Sequence, residues 1–129
     1  MVIDTSAVMA VLLNEPQRAA IEAAMNADPC CISAVTLVEV LIVAEARAGA
    51  EGAQIAEGLL DRFSVEVLAV GVGQAREAIA GWRRFGKGRH RAGLNLGDCF
   101  AYAAAIERDE PLLFVGQDFG LTDVVPALT

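Results

Sequence analysis

Residues 1–6, MVIDTS, determine how the whole chain is interpreted, because an acidic side chain follows directly on an N-terminal apolar pair. Val2 and Ile3 are β-branched and predict a short buried strand, and an apolar helical pattern follows. Ligands of open α/β sheets bind in the crevice beyond the carboxyl ends of the strands. Asp4 is therefore predicted to stand at the rim of such a crevice, unless it, or Ser6, simply caps the following helix.

Length and composition indicate a single domain. With 129 residues, 55% of them hydrophobic, the chain can bury a sizeable core, so residues 1–129 are expected to form one domain. A formal net charge of -7 normally argues against nucleic-acid binding, because phosphate contacts require Lys and Arg. That conclusion holds for the average charge only, because the basic residues are unevenly distributed along the chain.

The cysteines and the apolar segments indicate a soluble, cytoplasmic protein. Cys30, Cys31 and Cys99 are an odd number of thiols without the spacing of a zinc site, and they are expected to be reduced and buried. The N-terminus lacks the basic start of a signal peptide. No uncharged apolar stretch reaches the ~18 residues of a membrane span, so no membrane partner is expected.

Positive charge is concentrated in residues 83–91, RRFGKGRHR. This segment holds five of the ten Lys and Arg residues and the only His, and no acid occurs between Ala78 and Gly97. Such a patch suits contact with a phosphate backbone, although basic residues that stabilise a helix end give the same pattern. The flanking Trp82 and Phe85 are interpreted as core side chains rather than as base-stacking platforms.

The rest of the chain alternates predicted strands and helices. Strands are predicted over residues 30–33, 64–70 and 111–116, and helices over residues 7–13, 17–27, 36–49, 51–63 and 71–86 and from Asn95 onward. This alternation predicts a parallel sheet, in which the carboxyl ends of the strands meet at one edge.

Three further acids fall where they would reach that edge. Glu39 lies in a helix that is hydrophobic nearly all round and is expected to be largely buried, so its carboxylate needs a cation or a donor unless it reaches solvent. Asp98 follows Asn95 at the spacing of a capping box, which is a sufficient structural role by itself. Asp118 follows the last predicted strand, and Asp123 competes with it for the same role.

Converging carboxylates predict a metal site. Three or four of them without enough nearby Lys or Arg cannot all stay ionised unless a cation is present. Ligand sets made only of oxygen select hard ions such as Mg²⁺ or Mn²⁺. Such a site suits phosphate-ester chemistry, because bound ions stabilise phosphate oxygens and lower the pKa of an attacking water.

Four segments carry a family resemblance: VIDTSA at the start, VEV around Glu39, GKGRHRAGLNLGDCFAYA at residues 86–103, and PLLFVGQDFGLTDV at residues 111–124. Over nearly the whole chain they resemble the PIN-domain ribonucleases, and specifically the VapC toxins of bacterial toxin–antitoxin pairs. The resemblance implies an α/β fold, a PIN-like three-layer sandwich whose central, mostly parallel sheet of four or five strands has helices on both faces.

The resemblance also implies a catalytic and metal-binding role for each of four acids. Asp4 and Asp98 match the family's principal magnesium-binding aspartates, and Glu39 matches its acidic residue on the helix after the second strand. Asp118 is the choice for the fourth acid, although Gly-Gln-Asp-Phe is spaced differently from the Thr-x-Asn-x-x-Asp-Phe form of many PIN domains.

Further residues are expected to act beside these acids. Thr5 and Ser6 match the family's hydroxyl residues, which are expected to hold a metal-bound water. The expected RNA-binding residues are those of the basic segment: Lys87, Arg89, His90 and Arg91. For His90 the roles of phosphate contact and general acid both stay open.

The activity implied by the resemblance is that of an endoribonuclease toxin. It would cleave RNA phosphodiester bonds with Mg²⁺, or with Mn²⁺ in its place, through a metal-activated water. Family members form homodimers and are inhibited by a cognate VapB-type antitoxin, so a homodimer and a toxin–antitoxin hetero-oligomer are expected. The alternative is a catalytically inactive PIN scaffold that binds RNA or a protein partner.

One other class of enzyme and one class of signalling domain also place an acid after the first strand, but both fit this sequence less well. Aspartyl-phosphate phosphatases need a second Asp two residues after the first, where this chain has Ser6. Receiver domains need a Lys near the last strand, whereas the only lysine, Lys87, precedes a helix.

Overall fold

A four-stranded parallel sheet runs through the middle of the computed structural model, which describes all of residues 1–129. The strands are β1 (Val2–Ile3), β2 (Cys31–Ser33), β3 (Glu66–Leu68) and β4 (Leu112–Leu113), in the order β3-β2-β1-β4. In the register of the sheet, Val2 lies opposite Cys31 on one side and Leu112 on the other. Because every pairing is parallel, all four carboxyl ends lie at the same edge.

Five helices surround the sheet. They are α1 (Thr5–Leu12), α2 (Arg18–Ala27), α3 (Ala34–Arg62), α4 (Val72–Phe85) and α5 (Leu96–Arg108), and a short 3₁₀ turn follows at Phe119–Leu121. None of these helices combines the length and the apolar composition that crossing a bilayer requires.

Side chains that alternate along the strands divide the core into two layers. Ile3, Ile32 and Leu113 pack with apolar residues of α1, α2 and α3 on one face of the sheet. Their neighbours along the strands, Val2 and Leu112 among them, pack with α4 and α5 on the opposite face. Buried strands of parallel sheets are apolar on both faces for this reason. The predicted three-layer α/β sandwich is therefore confirmed, with four strands in its sheet.

Most element boundaries lie within a few residues of their predicted positions. Helix α1 begins at Thr5 rather than at residue 7, because the Asp4 side chain accepts a hydrogen bond from the Ser6 N–H and caps the helix there. The two helices predicted over residues 36–49 and 51–63 form the single element α3, which is interrupted at Ala48 and Gly49. Gly49 has a φ of 68°, a conformation that glycine adopts without steric cost.

The expectation that α3 would be buried nearly all round is wrong. Val38 and Ile42, one turn apart on α3, are 55% and 62% exposed. The elements that pack against α3 are α1, α5, β2 and β3, and they leave this face of the helix uncovered. The three cysteines are free and buried, as predicted.

Candidate active site

Four carboxylates meet at the carboxyl edge of the sheet. Asp4 directly follows β1, Glu39 lies in the second turn of α3, Asp98 lies in the first turn of α5, and Asp118 precedes the 3₁₀ turn. Asp98 is close enough to the other three acids that each of them raises its pKa, and Glu39 likewise raises that of Asp4. The structure thus places these four acids in one neighbourhood, and their roles there stay a prediction.

Asp4 both caps a helix and presents an unpaired oxygen to this acidic cluster. Its Oδ2 accepts hydrogen bonds from the N–H and the hydroxyl of Ser6, at 3.0 and 2.6 Å. Its Oδ1 is buried and has no hydrogen-bond partner. Burial raises the pKa of Asp4, the nearby Glu39 charge adds to that effect, and the Ser6 hydrogen bonds oppose it. Asp4 can therefore cap α1 through one oxygen and still serve as a site residue through the other.

Ser6 also connects two parts of the site that are distant in sequence. Its hydroxyl oxygen accepts a hydrogen bond from the Val115 N–H at 3.0 Å, while the same hydroxyl donates to Asp4. Val115 lies between β4 and Asp118. One small side chain therefore orients the Asp4 carboxylate and fixes the segment that leads to Asp118.

Glu39 is held from two sides. The Thr5 hydroxyl donates a hydrogen bond to Glu39 Oε1. On the other side lies Gly97 in the first turn of α5, where an added Cβ would come within 2.7 Å of the Glu39 carboxyl carbon. Cβ atoms in proteins essentially never lie that close to another atom. The Glu39 carboxylate can therefore lie against α5 only because residue 97 has no side chain.

Asp98 forms the predicted capping box with Asn95 and is still part of the acidic cluster. Asp98 Oδ2 accepts a hydrogen bond from the Asn95 N–H at 3.0 Å, and Asn95 Oδ1 accepts one from the Asp98 N–H at 2.8 Å. Burial raises the pKa of Asp98 to about 6, and the charges of the other three acids contribute in the same direction. A carboxylate that served only as a helix cap would not need to lie near three other acids.

Asp123, the competitor of Asp118, is engaged elsewhere. Its two oxygens accept hydrogen bonds from the Tyr102 hydroxyl at 2.8 Å and from Arg84 at 2.9 Å. Burial acts to raise the pKa of Asp123, but these two hydrogen bonds and the Arg84 charge outweigh it and lower the pKa. Asp123 therefore acts in an ion pair that ties the C-terminal segment to α4 and α5, whereas Asp118 is near enough to Asp98 for its charge to raise the Asp98 pKa.

Replacing Asp123 with alanine is expected to lower the free energy of unfolding at neutral pH by about 1 kcal/mol, because the Tyr102 hydroxyl loses its acceptor and Arg84 its partner. The pKa of Asp123 is lowered on folding, so its contribution is present above the ordinary value of 3.8 and is lost as pH falls through the folded-state pKa. Urea unfolding of the variant and the wild type at about pH 7 and pH 3 measures the loss of stability and its dependence on pH. The matched control is Asp61→Ala, which removes an exposed acid at the end of α3. An equal loss at both pH values would contradict the ionic role.

The basic segment begins in the last turn of α4 and continues into the loop that leads back to the site. Backbone pairing of Gly86 with Leu94 closes the loop just before α5. Lys87 and Arg91 are exposed, and the Arg89 Nε donates to the Arg83 carbonyl at 3.1 Å. The loop thus presents its cations beside the start of α5.

His90 is partly turned inward in this loop. Its Nδ1 accepts a hydrogen bond from the Ala92 N–H at 3.0 Å, and its ring packs edge-on against Phe85 with centroids 5.2 Å apart. These contacts give His90 a role in shaping the loop.

Trp82 corrects one expectation about the aromatic residues. Phe85 is buried, as predicted, but Trp82 is 38% exposed and does not belong to either core layer. The guanidinium carbon of Arg89 lies 4.7 Å from the centroid of the Trp82 ring, a cation–π contact on the protein surface.

The chemistry of the acidic cluster fits a divalent cation. A bound cation would relieve two features of this cluster: the buried, unpartnered carboxylate oxygen of Asp4, and the repulsion that Asp98 receives from three neighbouring acids. As the side chains stand, no three of them are close enough together to ligate one ion. Asp4 and Asp98 are each held by a cap, and Glu39 is held by Thr5, so ligation would require these side chains to move closer together around an ion.

Comparison with known proteins identifies the family. The model of the PIN domain matches residues 1–125. This chain belongs to the PIN-domain family. Among the relatives of this PIN domain, a protein of Mycolicibacterium smegmatis named ribonuclease VapC is 49% identical over 125 residues, which are 96% of this chain and 97% of that protein. Ribonuclease VapC30 of Mycobacterium tuberculosis is 47% identical over 125 residues, 96% of this chain and 95% of that protein.

Two solved structures share the fold of this PIN domain. VapC20 of Mycobacterium tuberculosis, described as a toxin that cleaves the sarcin–ricin loop, has a TM-score of 0.76 at 17% identity, with 96% of this chain and 95% of that chain covered. A toxin–antitoxin complex from Klebsiella pneumoniae has a TM-score of 0.70 at 21% identity, with 98% and 96% covered. The fold predicted from the sequence is thus supported by solved structures as well as by sequence relatives.

Three site features were missed in the sequence. The Ser6 hydrogen bond to Val115 joins positions 109 residues apart, and no local pattern signals it. The close approach of Gly97 to Glu39 could have been suspected, because a glycine in the first turn of a helix is costly unless space demands it. The exposure of Trp82 depends on how α4 rotates against α5, which helical periodicity alone does not fix.

Proposed function

We propose that this PIN domain is a Mg²⁺-dependent endoribonuclease toxin of the VapC type, with Asp4, Glu39, Asp98 and Asp118 as its catalytic acids. The observation that carries the proposal is the buried, unpartnered Oδ1 of Asp4, which lies within a cluster of mutually repelling carboxylates at the carboxyl edge of the sheet. Relatives named ribonuclease VapC at 49% and 47% identity support RNA as the substrate.

Each of the four acids would contribute oxygen ligands to the ion. Asp4 and Asp98 would hold the ion, with Glu39 and Asp118 completing the set of oxygen donors. Ser6 keeps Oδ2 of Asp4 occupied, so that Oδ1 is the oxygen free to bind. When bound, Mg²⁺ supplies a Lewis acid for the phosphate oxygens and acidifies an attacking water.

The hydroxyl residues and the basic loop would act around this centre. Thr5 orients Glu39 through its hydrogen bond to Oε1, and Ser6 orients Asp4. Lys87, Arg89 and Arg91 would hold the phosphates that flank the cleaved bond, because they add positive charge beside an acidic cluster that otherwise repels RNA.

Cleavage of a mixed single-stranded RNA pool tests this function. The wild-type protein is expected to cut RNA with Mg²⁺, to stop when EDTA is added, and to recover with excess Mg²⁺ or Mn²⁺. Asp4→Asn, prepared in the same way, controls for contaminating nucleases and should be inactive under all conditions. Cleavage that persists in EDTA would contradict the metal role. RNA binding without any cleavage would instead favour the inactive scaffold.

Neutralising the basic loop is expected to weaken RNA binding and its salt dependence. In an Arg89→Gln/Arg91→Gln double variant, two phosphate contacts are lost, so the slope of log K against log salt should become shallower by about 1.4 for single-stranded RNA. Fluorescence anisotropy between low and moderate salt measures the slope, with Arg47→Gln/Arg62→Gln on α3 as the charge-matched control. An unchanged slope in the loop variant would show that the patch faces away from RNA.

The proposed partners follow from the same relatives. A solved toxin–antitoxin complex with this fold supports a small cognate antitoxin of the VapB type as a partner. A homodimer and a toxin–antitoxin hetero-oligomer are proposed on the family relationship. Light scattering of the purified chain, alone and after co-expression with the gene beside its own, would measure both assemblies.

A further inference from the structure

An apolar groove lies between α4 and the start of α5, outside the acidic cluster. It encloses about 430 Å³, which is in the range of sites that bind small molecules. Its walls are almost entirely apolar and include Ile79, Trp82, Leu96 and Phe100. Ile79, Trp82 and Leu96 are 41%, 38% and 74% exposed, which is unusual for such side chains.

Positive charge surrounds one end of this groove. Lys87 is among the lining residues, and no acidic side chain lines it. The guanidinium of Arg89 lies over the Trp82 ring, with Arg83 on the same turn of α4. A flat apolar surface bordered by cations is the combination that binds a nucleobase together with its phosphate.

The groove is joined directly to the proposed catalytic acids. Asn95 lines the groove and exchanges two backbone-to-side-chain hydrogen bonds with Asp98, at 3.0 and 2.8 Å. A strand of RNA whose phosphate lies at Asp98 therefore has the groove within reach of a neighbouring nucleotide.

The same charges argue against a second copy of this chain as the occupant. In a two-fold symmetric contact both copies use the same patch, so the positive end of the groove would be buried in both copies with no acidic side chain of the groove to pair with it. Burying positive charge of both copies in one interface is unfavourable because like charges repel, whereas a polyanion such as RNA would neutralise that charge.

From these observations we propose that the α4–α5 groove is a subsite for an unpaired nucleobase of the RNA substrate, which stacks on the face of Trp82 opposite Arg89 while Lys87 and Arg89 hold its phosphate. The subsite rests on the proposed function, because it presupposes that the strand at Asp98 is RNA. It also predicts a preference for single-stranded RNA, since a base inside a duplex is not free to enter the groove.

Trp82 is the only tryptophan, so its fluorescence reports on this groove alone. The Asp4→Asn protein, which should bind RNA without cutting it, would be titrated with seven-nucleotide oligomers of A, U and C. At least one oligomer is expected to quench the tryptophan emission in parallel with binding measured by anisotropy. Binding without any change in emission would overturn the subsite.

Variants at position 82 separate stacking from structure. Trp82→Leu is expected to weaken binding of the quenching oligomer by about 10-fold, whereas Trp82→Phe, which keeps an aromatic face, should cost no more than about threefold. Val72→Ala is the matched control, because Val72 is an exposed apolar residue of α4, 68% exposed, that does not line the groove. Equal binding by the leucine variant and the wild type would overturn the proposal.

An abasic scan identifies the stacked nucleotide. Removing the base at one position of the oligomer should weaken binding to the wild type by about as much as Trp82→Leu does, and should have little further effect on the leucine variant. Additive losses at every position would contradict stacking on Trp82. Emission that responds to protein concentration but not to RNA would assign the groove to self-association instead.

The outcomes keep this proposal distinct from the proposed nuclease activity. Cleavage of RNA with Mg²⁺ together with an unresponsive Trp82 would remove the subsite only. Quenching and the abasic effect in a protein that never cleaves RNA would support the subsite and reject the catalytic role of the acids.

Discussion

Replacing Asp98 with asparagine is expected to reduce RNA cleavage by more than about 100-fold while the protein stays folded. Asparagine keeps a side-chain oxygen that can accept from the Asn95 N–H, so the cap survives, but it removes the negative charge that would hold the ion. Loss of a residue that merely supports a metal ligand typically costs 10- to 100-fold, and loss of a ligand itself should cost more.

Single-turnover cleavage rates and urea unfolding, measured on the same samples, separate the two roles of Asp98. If Asp98 were only a cap, the substitution would cost at most about 2 kcal/mol of stability and leave cleavage intact. Asp61→Asn on the exposed end of α3 is the matched control and should behave as wild type. A folded Asp98→Asn protein that cleaves RNA at the wild-type rate would contradict the catalytic assignment.

Replacing Gly97 with alanine is expected to lower cleavage by about 10- to 100-fold, comparable to the loss of a residue that orients a metal ligand. The added Cβ would lie within 2.7 Å of the Glu39 carboxyl carbon, so Glu39 must move and its hydrogen bond from Thr5 must be disturbed. Alanine favours the helix by up to about 1 kcal/mol relative to glycine. Because this gain offsets the cost of displacing Glu39, the free energy of unfolding should change little.

The matched control for Gly97 is Gly58→Ala in α3, where an added Cβ would meet nothing within 4 Å. That variant should keep full activity and be slightly more stable. A second test adds Glu39→Asp to Gly97→Ala, since the shorter carboxylate makes room for the new methyl group and should restore part of the lost activity. A Gly97→Ala protein with normal cleavage would show that Glu39 does not need its observed position.

The sequence predicted the fold and the four acids because both depend on local patterns. Short β-branched segments alternate with helices, and parallel pairing then brings every strand end to one edge. Asp4 directly follows β1 and Asp118 lies on the segment that follows β4, so their placement depends largely on that topology. The capping-box spacing of Asp98 does not by itself indicate a site residue, because the same carboxylate serves both as a cap and as a member of the cluster.

Other features depend on contacts between distant segments, which local patterns do not specify. The choice between Asp118 and Asp123 turns on the Tyr102 and Arg84 hydrogen bonds, which form only once the C-terminal segment has folded onto α4 and α5. The exposure of Val38 on α3 likewise depends on which neighbours cover that helix.

Asp4 and Asp98 are proposed to bind one divalent ion jointly at the carboxyl edge of the sheet. Anomalous diffraction from a crystal grown with Mn²⁺ tests it most directly. A Mn²⁺ peak bonded to Oδ1 of Asp4 and to the Asp98 carboxylate, absent in Asp4→Asn crystals grown in the same way, is the predicted result. Mn²⁺ bound only at other surfaces, with Asp4 Oδ1 still unligated, would contradict it.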